Sequence, residues 1–397
     1  MKPELLAPAG DLARAKTAIR FGADAVYLGG KRFSLRSRAS NFELEDIREA
    51  VRFAKEYDAK IYVTVNMIPH DEDLQGLEEY LLALQQSGVA AIIVASLHIA
   101  SLAKRIAPAM EVHLSTQLSL TNSAAIETVR RFGVDRVVLA REVSLDQIQT
   151  ISALSPMPLE VFIHGGMCVN LSGRCTLSNE MTLRDANRGG CAQSCRWKYK
   201  LYRDQTEISD PNCLFSMSSK DLLAIEEIPS LMKQGISSFK IEGRMKSAYY
   251  IAVVVDAYRK LIDAIDQGQD ETEAIEKARK MLMKAENRPT ANGFFRTIPQ
   301  ASHHLYGVNG EGITQDFVAN VIETHPNGRT SILIRNNLPV HTELDVLSPR
   351  TDVRSFTLEA IYRQGNRIEV ANLPMEVLEI EIPFGVESGD FIRKKGS

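Results

Sequence analysis

The chain has 397 residues, and its 47 lysines and arginines against 50 aspartates and glutamates give a formal net charge of −3 at pH 7. This length is sufficient for one large domain and a smaller second one, and the balanced charge excludes a global basic field for nucleic acid, so any such surface must be local. The first residues contain no apolar signal core, and no run reaches the roughly 18 apolar residues of a membrane span. We therefore expect a soluble cytoplasmic protein that has no membrane partner.

A recurring joint organises roughly the first 245 residues: a helical pattern ends in glycine, which accepts the left-handed conformation at low cost, and an apolar strand follows at once. The joint occurs at Gly22, Gly88, Gly133 and Gly235. Repeated helix-to-strand steps with fully apolar strands are typical of a parallel sheet. Eight strands are predicted at Glu4–Ala7, Ala25–Gly29, Lys60–Val65, Ala91–Ala95, Glu111–Ser115, Arg136–Ala140, Leu159–Ile163 and Phe239–Glu242. This pattern predicts an α/β fold with a (β/α)8 TIM-barrel-like domain; an open doubly wound sheet is the alternative, although no GxGxxG motif follows the first strand.

After the eighth predicted strand, the sequence pattern changes first to helical and then to β. Residues 247–286 have a helical pattern, either one long helix or a pair broken near Gly268. From about residue 300, short β-branched runs separated by Asn-Gly, Asn-Asn and Pro turns predict a small all-β domain. The predicted organisation is a (β/α)8-like catalytic domain over residues 1–286, with a Cys-rich insertion over residues 165–215 after the seventh strand, and a β-barrel-like C-terminal domain over residues 300–397.

Four of the five cysteines lie in the aperiodic stretch that follows the seventh predicted strand, with the spacing C-x6-C-x15-C-x3-C. They are Cys168, Cys175, Cys191 and Cys195. A cysteine cluster in a cytosolic protein indicates metal binding or redox chemistry more often than disulfides. The C-x2-C knuckles that zinc prefers are missing, whereas iron–sulfur clusters accept irregular spacings. The spacing therefore favours a cluster, with zinc and unligated structural thiols left open; Cys213 is predicted to be an inert buried thiol outside the site.

Polar side chains stand at or just after the ends of several predicted strands, where the active sites of (β/α)8 barrels lie. They are Asn66, Gln117, Arg141, His164, Glu242 and Arg244. Because the cysteine stretch leaves the barrel from the seventh strand, we expect it to lie over the same mouth. All of these except Arg141 also have a structural interpretation: His164 as a backbone cap, Glu242 with Arg244 as an ion pair, and the two amides as partners of loop backbone.

The cysteine stretch is locally basic, because seven lysines and arginines between positions 174 and 203 face only two acidic residues. Cations that neutralise phosphates, interleaved with rings that stack on bases, suit RNA, and a solvated surface loop is the alternative. The candidate RNA-binding residues are Arg184, Arg188, Arg196, Trp197 and Lys198. A second basic group that could share the rim follows the second predicted strand and comprises Lys31, Arg32, Arg36 and Arg38.

Several motifs together resemble the signature of the collagenase-like peptidase family U32. They are HGGMC at 164–168, LSGRC at 171–175, LLAPAGD at 5–11, GADAVY at 22–27 and KIEGRMK at 240–246. The continuation RGGC at 188–191 with CRW at 195–197 is similar to the branch of this family that hydroxylates RNA.

This resemblance implies an RNA-modifying hydroxylase that forms 5-hydroxyuridine at the wobble position of tRNA, without oxygen and dependent on prephenate. It further implies an iron–sulfur cluster of the 4Fe-4S type held by the four cysteines, with catalytic residues at the barrel mouth and arginines such as Arg141 and Arg244 on the carboxylates of prephenate. The alternatives are cytidine hydroxylation in rRNA by the same chemistry, a peptidase with a Cys/His or metal site, and an RNA-binding subunit that works with a paired homologous subunit. We expect no peptidase, because neither HExxH nor GxSxG occurs and Cys168 is better explained as a ligand.

Overall fold

The computed structural model describes residues 2–35, 41–210, 212, 214–285, 288–306, 316–349 and 351–396. Its strands are β1 (Glu4–Pro8), β2 (Ala25–Gly29), β3 (Lys60–Val65), β4 (Ala91–Val94), β5 (Glu111–Leu114), β6 (Arg136–Val138), β7 (Leu159–Gly165), β8 (Tyr202–Arg203), β9 (Thr206–Glu207), β10 (Asp221–Leu223), β11 (Ser238–Ile241), β12 (Thr290–Ala291), β13 (Phe317–Thr324), β14 (Arg329–Ile334), β15 (Leu338–Pro339), β16 (Glu343–Leu347), β17 (Arg354–Thr357), β18 (Ile361–Arg363), β19 (Asn366–Ile368), β20 (Val370–Ala371), β21 (Val377–Glu381) and β22 (Phe391–Lys394).

The α-helices alternate with these strands in the first part of the chain. They are α1 (Leu12–Arg20), α2 (Leu44–Glu56), α3 (Leu77–Gln86), α4 (Leu97–Ile106), α5 (Ser123–Arg130), α6 (Leu145–Leu154), α7 (Leu177–Thr182), α8 (Ile228–Lys233), α9 (Ala248–Asp266) and α10 (Glu271–Leu282). Short 3-10 helices cover Asp71–Leu74, Thr116–Leu118, Ala186–Arg188, Ser194–Arg196 and Ala301–His303. Among the described residues, no helix is both long and apolar enough to cross a membrane.

Eight parallel strands form a closed barrel, which confirms the predicted fold class. Strands β1 to β7 pair in chain order, and β11 closes the barrel by pairing with both β7 and β1. Two short strands extend the sheet beside β7: β10 runs antiparallel to its end, and β12 runs parallel to β10. The strand ends that define the mouth are therefore those of β1 to β7 and β11.

The predicted glycine joints explain how each helix reverses into a strand. Gly22, Gly88, Gly133 and Gly235 all have positive φ, from 74° to 105°, directly before a barrel strand. Glycine has no Cβ to penalise this conformation, so the chain can leave a helix and enter the sheet within a few residues. The same device at Gly268, with φ 73°, separates α9 from α10 and confirms the predicted break.

The barrel interior combines apolar and ionic layers. Tyr27 and Tyr62 lie among small and branched side chains inside the barrel. Next to them, the fully buried carboxylate of Glu160 accepts hydrogen bonds from Lys240 at 2.8 Å and from Arg136 at 3.3 Å. Buried charges require such pairing, because an uncompensated one would cost several kcal/mol, roughly 3–5. The interior below the mouth is therefore filled by side chains.

The C-terminal part is all-β, as predicted. Eight of its strands form one antiparallel sheet in the order β17-β16-β22-β13-β14-β21-β18-β19, and β15 pairs with β20. It packs on the barrel through aromatic rings, with Tyr249 of α9 stacked on Phe317 at a centroid distance of 4.6 Å. Lys260 also donates to the carbonyl of Thr351 at 2.7 Å. The domain boundaries at 286 and 300 remain predictions.

Candidate functional site

Two amide side chains after β3 and β5 bond to each other at the barrel mouth. Asn66 Nδ2 donates to Gln117 Oε1 at 2.7 Å, and Gln117 Nε2 donates to the carbonyl of Asn66 at 3.1 Å. Asn66 Oδ1 also accepts from the backbone N–H of Leu35 at 3.0 Å. This reciprocal pair connects the loops after β2, β3 and β5. The two amides therefore have the structural role that the sequence left open as an alternative to a catalytic one.

Three charged side chains converge on Gly166, the first residue after β7. The guanidinium of Arg141 lies 4.0 Å from the ring centroid of Phe162 and donates to the carbonyl of Gly166 at 2.9 Å. Glu242 Oε2 accepts from the N–H of the same glycine at 3.2 Å. A Cβ placed on Gly166 would lie 3.1 Å from that carboxylate oxygen and 3.3 Å from Arg196 Nη2. Arg141, Arg196 and Glu242 thus surround the point at which the chain leaves the barrel.

Arg244 is buried at the end of β11 and held by side chains from the loop after β2. Its guanidinium donates to Ser34 Oγ at 3.4 Å and to Asn41 Oδ1 at 3.0 Å, and only 5% of the residue is exposed. Any Cβ at Gly29 would come within 2.5 Å of Arg244 Nη2. The arginine therefore occupies a fixed position that depends on glycine at the end of β2.

His164 lies apart from the other predicted site residues, packed against the helix layer. A bulge in the β7–β11 register places Phe162 opposite Lys240 and His164 opposite Ile241, so one extra residue turns the histidine away from the inward row. Its ring is 2% exposed and lies beside Tyr258 and Tyr250 of α9, with Nδ1 3.3 Å from Tyr258 Oη. The expectation of a histidine open to substrate was therefore wrong.

Because His164 is buried, its protonation affects the stability of the fold. Burial and the charge of Lys246, opposed by Glu242, lower the pKa of His164 from 6.5 to about 3. The unfolded chain binds this proton below about pH 6.5, whereas the folded protein does not until about pH 3, so stability is lost as the pH falls through this window.

We expect the free energy of unfolding of the wild-type protein to fall more steeply from pH 6 to pH 4 than that of His164→Gln, by up to about 1.4 kcal/mol per pH unit. Urea unfolding at each pH measures the two slopes. His98→Gln, at an exposed histidine of α4, is the control and should keep the wild-type slope. Equal slopes for wild type and His164→Gln would contradict the buried neutral state.

The segment that follows β7 and contains Cys168, Cys175, Cys191 and Cys195 lies across loops of the mouth; we call it the cysteine-bearing segment. Ser172 Oγ donates at 2.7 Å to Oε2 of Glu142, which lies in the loop after β6. A Cβ on Gly173, which has φ +69°, would lie 2.0 Å from the carbonyl oxygen of Gln117, after β5. Further along, Arg188 pairs with Asp73 after β3. Three loops of the barrel therefore hold the segment, and Ser172 is a contact that the sequence did not reveal because nothing local marks it.

Gly173→Ala should detach this segment from the mouth, because the new Cβ meets backbone that cannot move aside as a side chain can. The control is Gly268→Ala, since Gly268 has a similar φ of +73° with nothing within 4 Å of its Cβ position. Both variants carry the backbone strain, of order 1–2 kcal/mol, but only Gly173→Ala adds the clash. Limited proteolysis should cleave residues 166–220 at least about tenfold faster in Gly173→Ala alone. Equal cleavage in both would contradict this docking.

Cys195 lies close enough to the other three cysteines for their charges to act on it. Burial raises the pKa of the Cys195 thiol, and the charges of Cys168, Cys191 and Cys175 raise it further against the effect of Arg196. Cys168 and Cys191 are exposed, and the other two are half-buried. Over the described part of the chain, no three His, Cys, Asp or Glu side chains are already gathered closely enough to hold a metal ion. Cys213 lies outside the described residues.

This donor set fits a thiolate-bound metal group in its chemistry. A cationic metal centre favours the thiolate form of the cysteines that bind it. Metal ligands also commonly reach their final positions only when the metal binds. That these four cysteines share one coordination sphere therefore remains a prediction.

The predicted RNA-binding residues divide into outward and inward groups. Trp197 and Lys198 are exposed, and Arg184 is half-exposed. Arg188 is committed to Asp73, and Arg196 points towards Gly166. In the second basic group, Lys31 pairs with Glu43 and Arg32 donates to the carbonyl of Gln75, while Arg36 and Arg38 lie outside the described residues. Composition identified this basic segment but not which cations remain available.

Comparison with known families accounts for both parts of the chain. The model of peptidase family U32 matches residues 10–305, and the model of the U32 C-terminal domain matches residues 314–393. The chain belongs to peptidase family U32. The resemblance in the HGGMC and LSGRC motifs is thus confirmed at the level of the family, and the mouth and the cysteine-bearing segment fall within the first matched region.

Relatives within the U32 family have diverse names. The chain is 43% identical over 402 residues to tRNA hydroxylation protein P1 of Bacillus subtilis, covering 99% of this chain and 95% of that protein. It is 43% identical over 263 residues to the 23S rRNA 5-hydroxycytidine C2501 synthase of Escherichia coli, covering 66% of this chain and 39% of that protein. It is 35% identical over 305 residues to a collagenase of Porphyromonas gingivalis, covering 74% of this chain and 73% of that protein.

Proposed function

We propose that this U32 protein is an RNA-modifying hydroxylase that forms 5-hydroxyuridine at the wobble position of tRNA. One observation of the structure carries the proposal: the segment with four cysteines and exposed cations lies across the mouth where Arg141, Arg196 and Glu242 converge. Full-length similarity to a protein named for tRNA hydroxylation supports tRNA as the first substrate to test.

The RNA would approach from the side of the cysteine-bearing segment. Trp197 is 44% exposed, and the neighbouring Lys198 is exposed as well. An exposed ring can stack on an unpaired base while lysine neutralises a phosphate, which is the usual division of roles in single-stranded RNA recognition. Arg184 would add a further phosphate contact. Arg188 would act indirectly, because its pairing with Asp73 holds the segment in place.

A small dicarboxylate would bind inside the mouth, and we propose prephenate as this co-substrate. Guanidinium groups bind carboxylates through two parallel hydrogen bonds, and their geometry must be fixed for this to be specific. Arg141 is fixed by Phe162 and Gly166, and Arg244 by Ser34 and Asn41. Arg196 would add a third positive charge between the mouth and Cys195.

Cys168, Cys175, Cys191 and Cys195 would hold an iron–sulfur cluster of the 4Fe-4S type, with zinc as the alternative. When bound, such a cluster supplies iron that can act as a Lewis acid or exchange electrons at the mouth. The chain's own residues orient what enters: Glu142 and Asp73 anchor the segment, and Asn66 with Gln117 keeps the loops below it together. We further propose that the oxygen atom comes from a donor other than O2.

Cytidine hydroxylation in rRNA is the second candidate, favoured by the similarity to the C2501 synthase. Proteolysis is not favoured by the site. A cysteine peptidase needs a histidine that can accept the thiol proton. His164 is instead buried against Tyr250 and Tyr258, and its ring nitrogen faces the hydroxyl of Tyr258.

Mass spectrometry of tRNA and rRNA nucleosides tests this proposal directly. Deleting the gene should remove 5-hydroxyuridine from tRNA, and the full-length chain expressed from a plasmid should restore it. Expression in a heterologous deletion strain shows whether a paired homologous subunit is also required. Loss of 5-hydroxycytidine from rRNA would favour the second candidate, and unchanged nucleosides in both RNAs would refute the proposed function.

A further inference from the structure

Five large apolar side chains are exposed on the cysteine-bearing segment. We call this set the apolar crown: Val169 (37% exposed), Leu171 (60%), Met181 (46%), Leu183 (94%) and Trp197 (44%). Single exposed apolar residues are common on protein surfaces, so the conformation and surroundings of each one decide whether it indicates an interaction site. The crown lies in or beside a locally basic stretch, residues 174–203, of a chain whose net charge is −3.

Leu183 is the most exposed member and has an unfavourable backbone conformation. It follows the last residue of α7 with φ 55° and ψ 31°, in the left-handed region. Glycine or asparagine is usual at this position, because a branched side chain there costs roughly 1–2 kcal/mol. With 94% of the residue exposed, the leucine recovers almost nothing by burial. The folded state alone therefore gives no reason for leucine here.

The backbone around Leu183 is nevertheless well held. Its N–H donates to the carbonyl of Asn179 at 3.0 Å, and the N–H of Arg184 donates to the carbonyl of Ser178 at 3.3 Å. Ser178 is 2% exposed, and its hydroxyl accepts from the N–H of Ala192, which follows Cys191. Since α7 has six residues, about 9 Å of helix separates Leu183 from the neighbourhood of Cys175. The side chain thus projects from a fixed base beside the thiols.

We propose that Leu183 is a wedge that enters the base stack of the RNA and fills the space that the target base leaves when it turns into the mouth. This inference rests on the proposed function and deepens it. Enzymes that modify bases must first extrude them, and apolar side chains inserted between bases are a common means of stabilising the opened stack.

Charge complementarity favours RNA over a second copy of the chain as the partner that binds the apolar crown. Arg174, Arg184 and Lys198 are close to the crown in sequence, whereas only Glu180 and Asp185 are acidic between positions 174 and 203. Such a surface attracts a polyanion whose bases are apolar on their faces. The same surface on a second copy of the chain would repel it, because both copies carry the same excess of positive charge.

The test uses the full-length chain and an anticodon stem–loop RNA with 2-aminopurine in place of the target uridine. The fluorescence of this base rises when it leaves the stack. Leu183→Ala and Leu183→Asn remove the wedge, and asparagine tolerates the left-handed backbone. Leu183→Met retains an apolar side chain. Leu154→Ala is the matched control, because Leu154 is 66% exposed at the end of α6.

We expect wild type, Leu183→Met and Leu154→Ala to raise the fluorescence on binding, and Leu183→Ala and Leu183→Asn to lose most of the rise. RNA affinity should change less than about threefold, because the phosphate contacts remain, while 5-hydroxyuridine in complemented cells should fall about tenfold. Normal fluorescence and modification in Leu183→Ala would overturn the wedge. So would a change in oligomeric mass without a change in fluorescence, which would assign Leu183 to a contact between copies.

Failure of the proposed function gives a different result. In that case the wild-type chain restores no hydroxylated nucleoside, and the wedge falls with it. If wild type restores the nucleoside and the Leu183 variants match it, only the wedge is wrong.

Discussion

Cys175→Ser should abolish hydroxylation of tRNA while leaving RNA affinity within about twofold of the wild-type value, because affinity comes mainly from phosphate contacts. Serine keeps the size of the side chain but replaces a soft thiolate with a hydroxyl that binds iron poorly. Cys175 is half-buried, and Asn170 Nδ2 donates to its sulfur at 3.1 Å, a contact that the serine oxygen can retain. The substitution therefore removes a ligand with little change in the surrounding fold.

The measurement combines iron and sulfide content, absorbance near 400 nm after anaerobic purification, and nucleoside analysis in complemented cells. Serine at Cys168, Cys191 or Cys195 should give the same loss. Cys213→Ser is the matched control, since this cysteine is outside the spacing block, and it should retain iron and activity. A Cys175→Ser protein with full iron content and full activity would show that the four cysteines are structural thiols.

The barrel could be predicted because its signals are local. Each of the joints at Gly22, Gly88, Gly133 and Gly235 combines a helical period, a glycine and an apolar run within a few residues. Eight such strands admit few arrangements, since parallel strands need helical crossovers of one hand. The count favoured a barrel over an open doubly wound sheet, and the pairing of β11 with β1 in the structure decides between them.

The position of His164 could not be predicted, because a bulge has no local signature here. A regular strand alternates sides, so His164 would face inwards together with Glu160 and Phe162. One extra residue between Phe162 and His164 in the pairing with β11 reverses that direction. The bulged residue Ile163 accepts a hydrogen bond through its carbonyl from Tyr258, which is 95 residues away, at 3.0 Å, and no local pattern reveals such a partner.

The roles of the cations in the basic segment were equally hidden. Arg188 and Arg196 are eight positions apart in the same segment, yet one pairs with Asp73 and the other reaches Gly166 and the neighbourhood of Glu242. Asp73 is 115 residues from Arg188, and a spacing rule cannot supply such a partner. Sequence identified the segment that combines the cysteines with a local excess of cations, and the fold decided which of its side chains face outwards.

Arg244→Ala should abolish hydroxylation with tRNA affinity again within about twofold, because Arg244 is only 5% exposed, whereas affinity comes mainly from exposed cations that contact phosphates. The loss would come from the bidentate carboxylate contact that only a fixed guanidinium provides. Removing the guanidinium also removes its hydrogen bonds to Ser34 and Asn41, at a cost of roughly 1–3 kcal/mol. Arg244→Lys keeps the charge without the planar pair of donors and should retain only a small part of the activity.

Calorimetric titration with prephenate separates this role from a general loss of stability. The wild-type protein and Arg279→Ala, a surface variant on α10, should bind prephenate equally, because Arg279 contacts Glu226 outside the mouth. Arg244→Ala should show no measurable heat of prephenate binding. Its urea unfolding curve should show that the variant is still folded at the titration temperature. If Arg244→Ala binds prephenate and modifies tRNA at the wild-type rate, the carboxylates are held elsewhere. Arg141 and Arg196 around Gly166 then become the site to examine, because their guanidinium groups lie next to the cysteine-bearing segment.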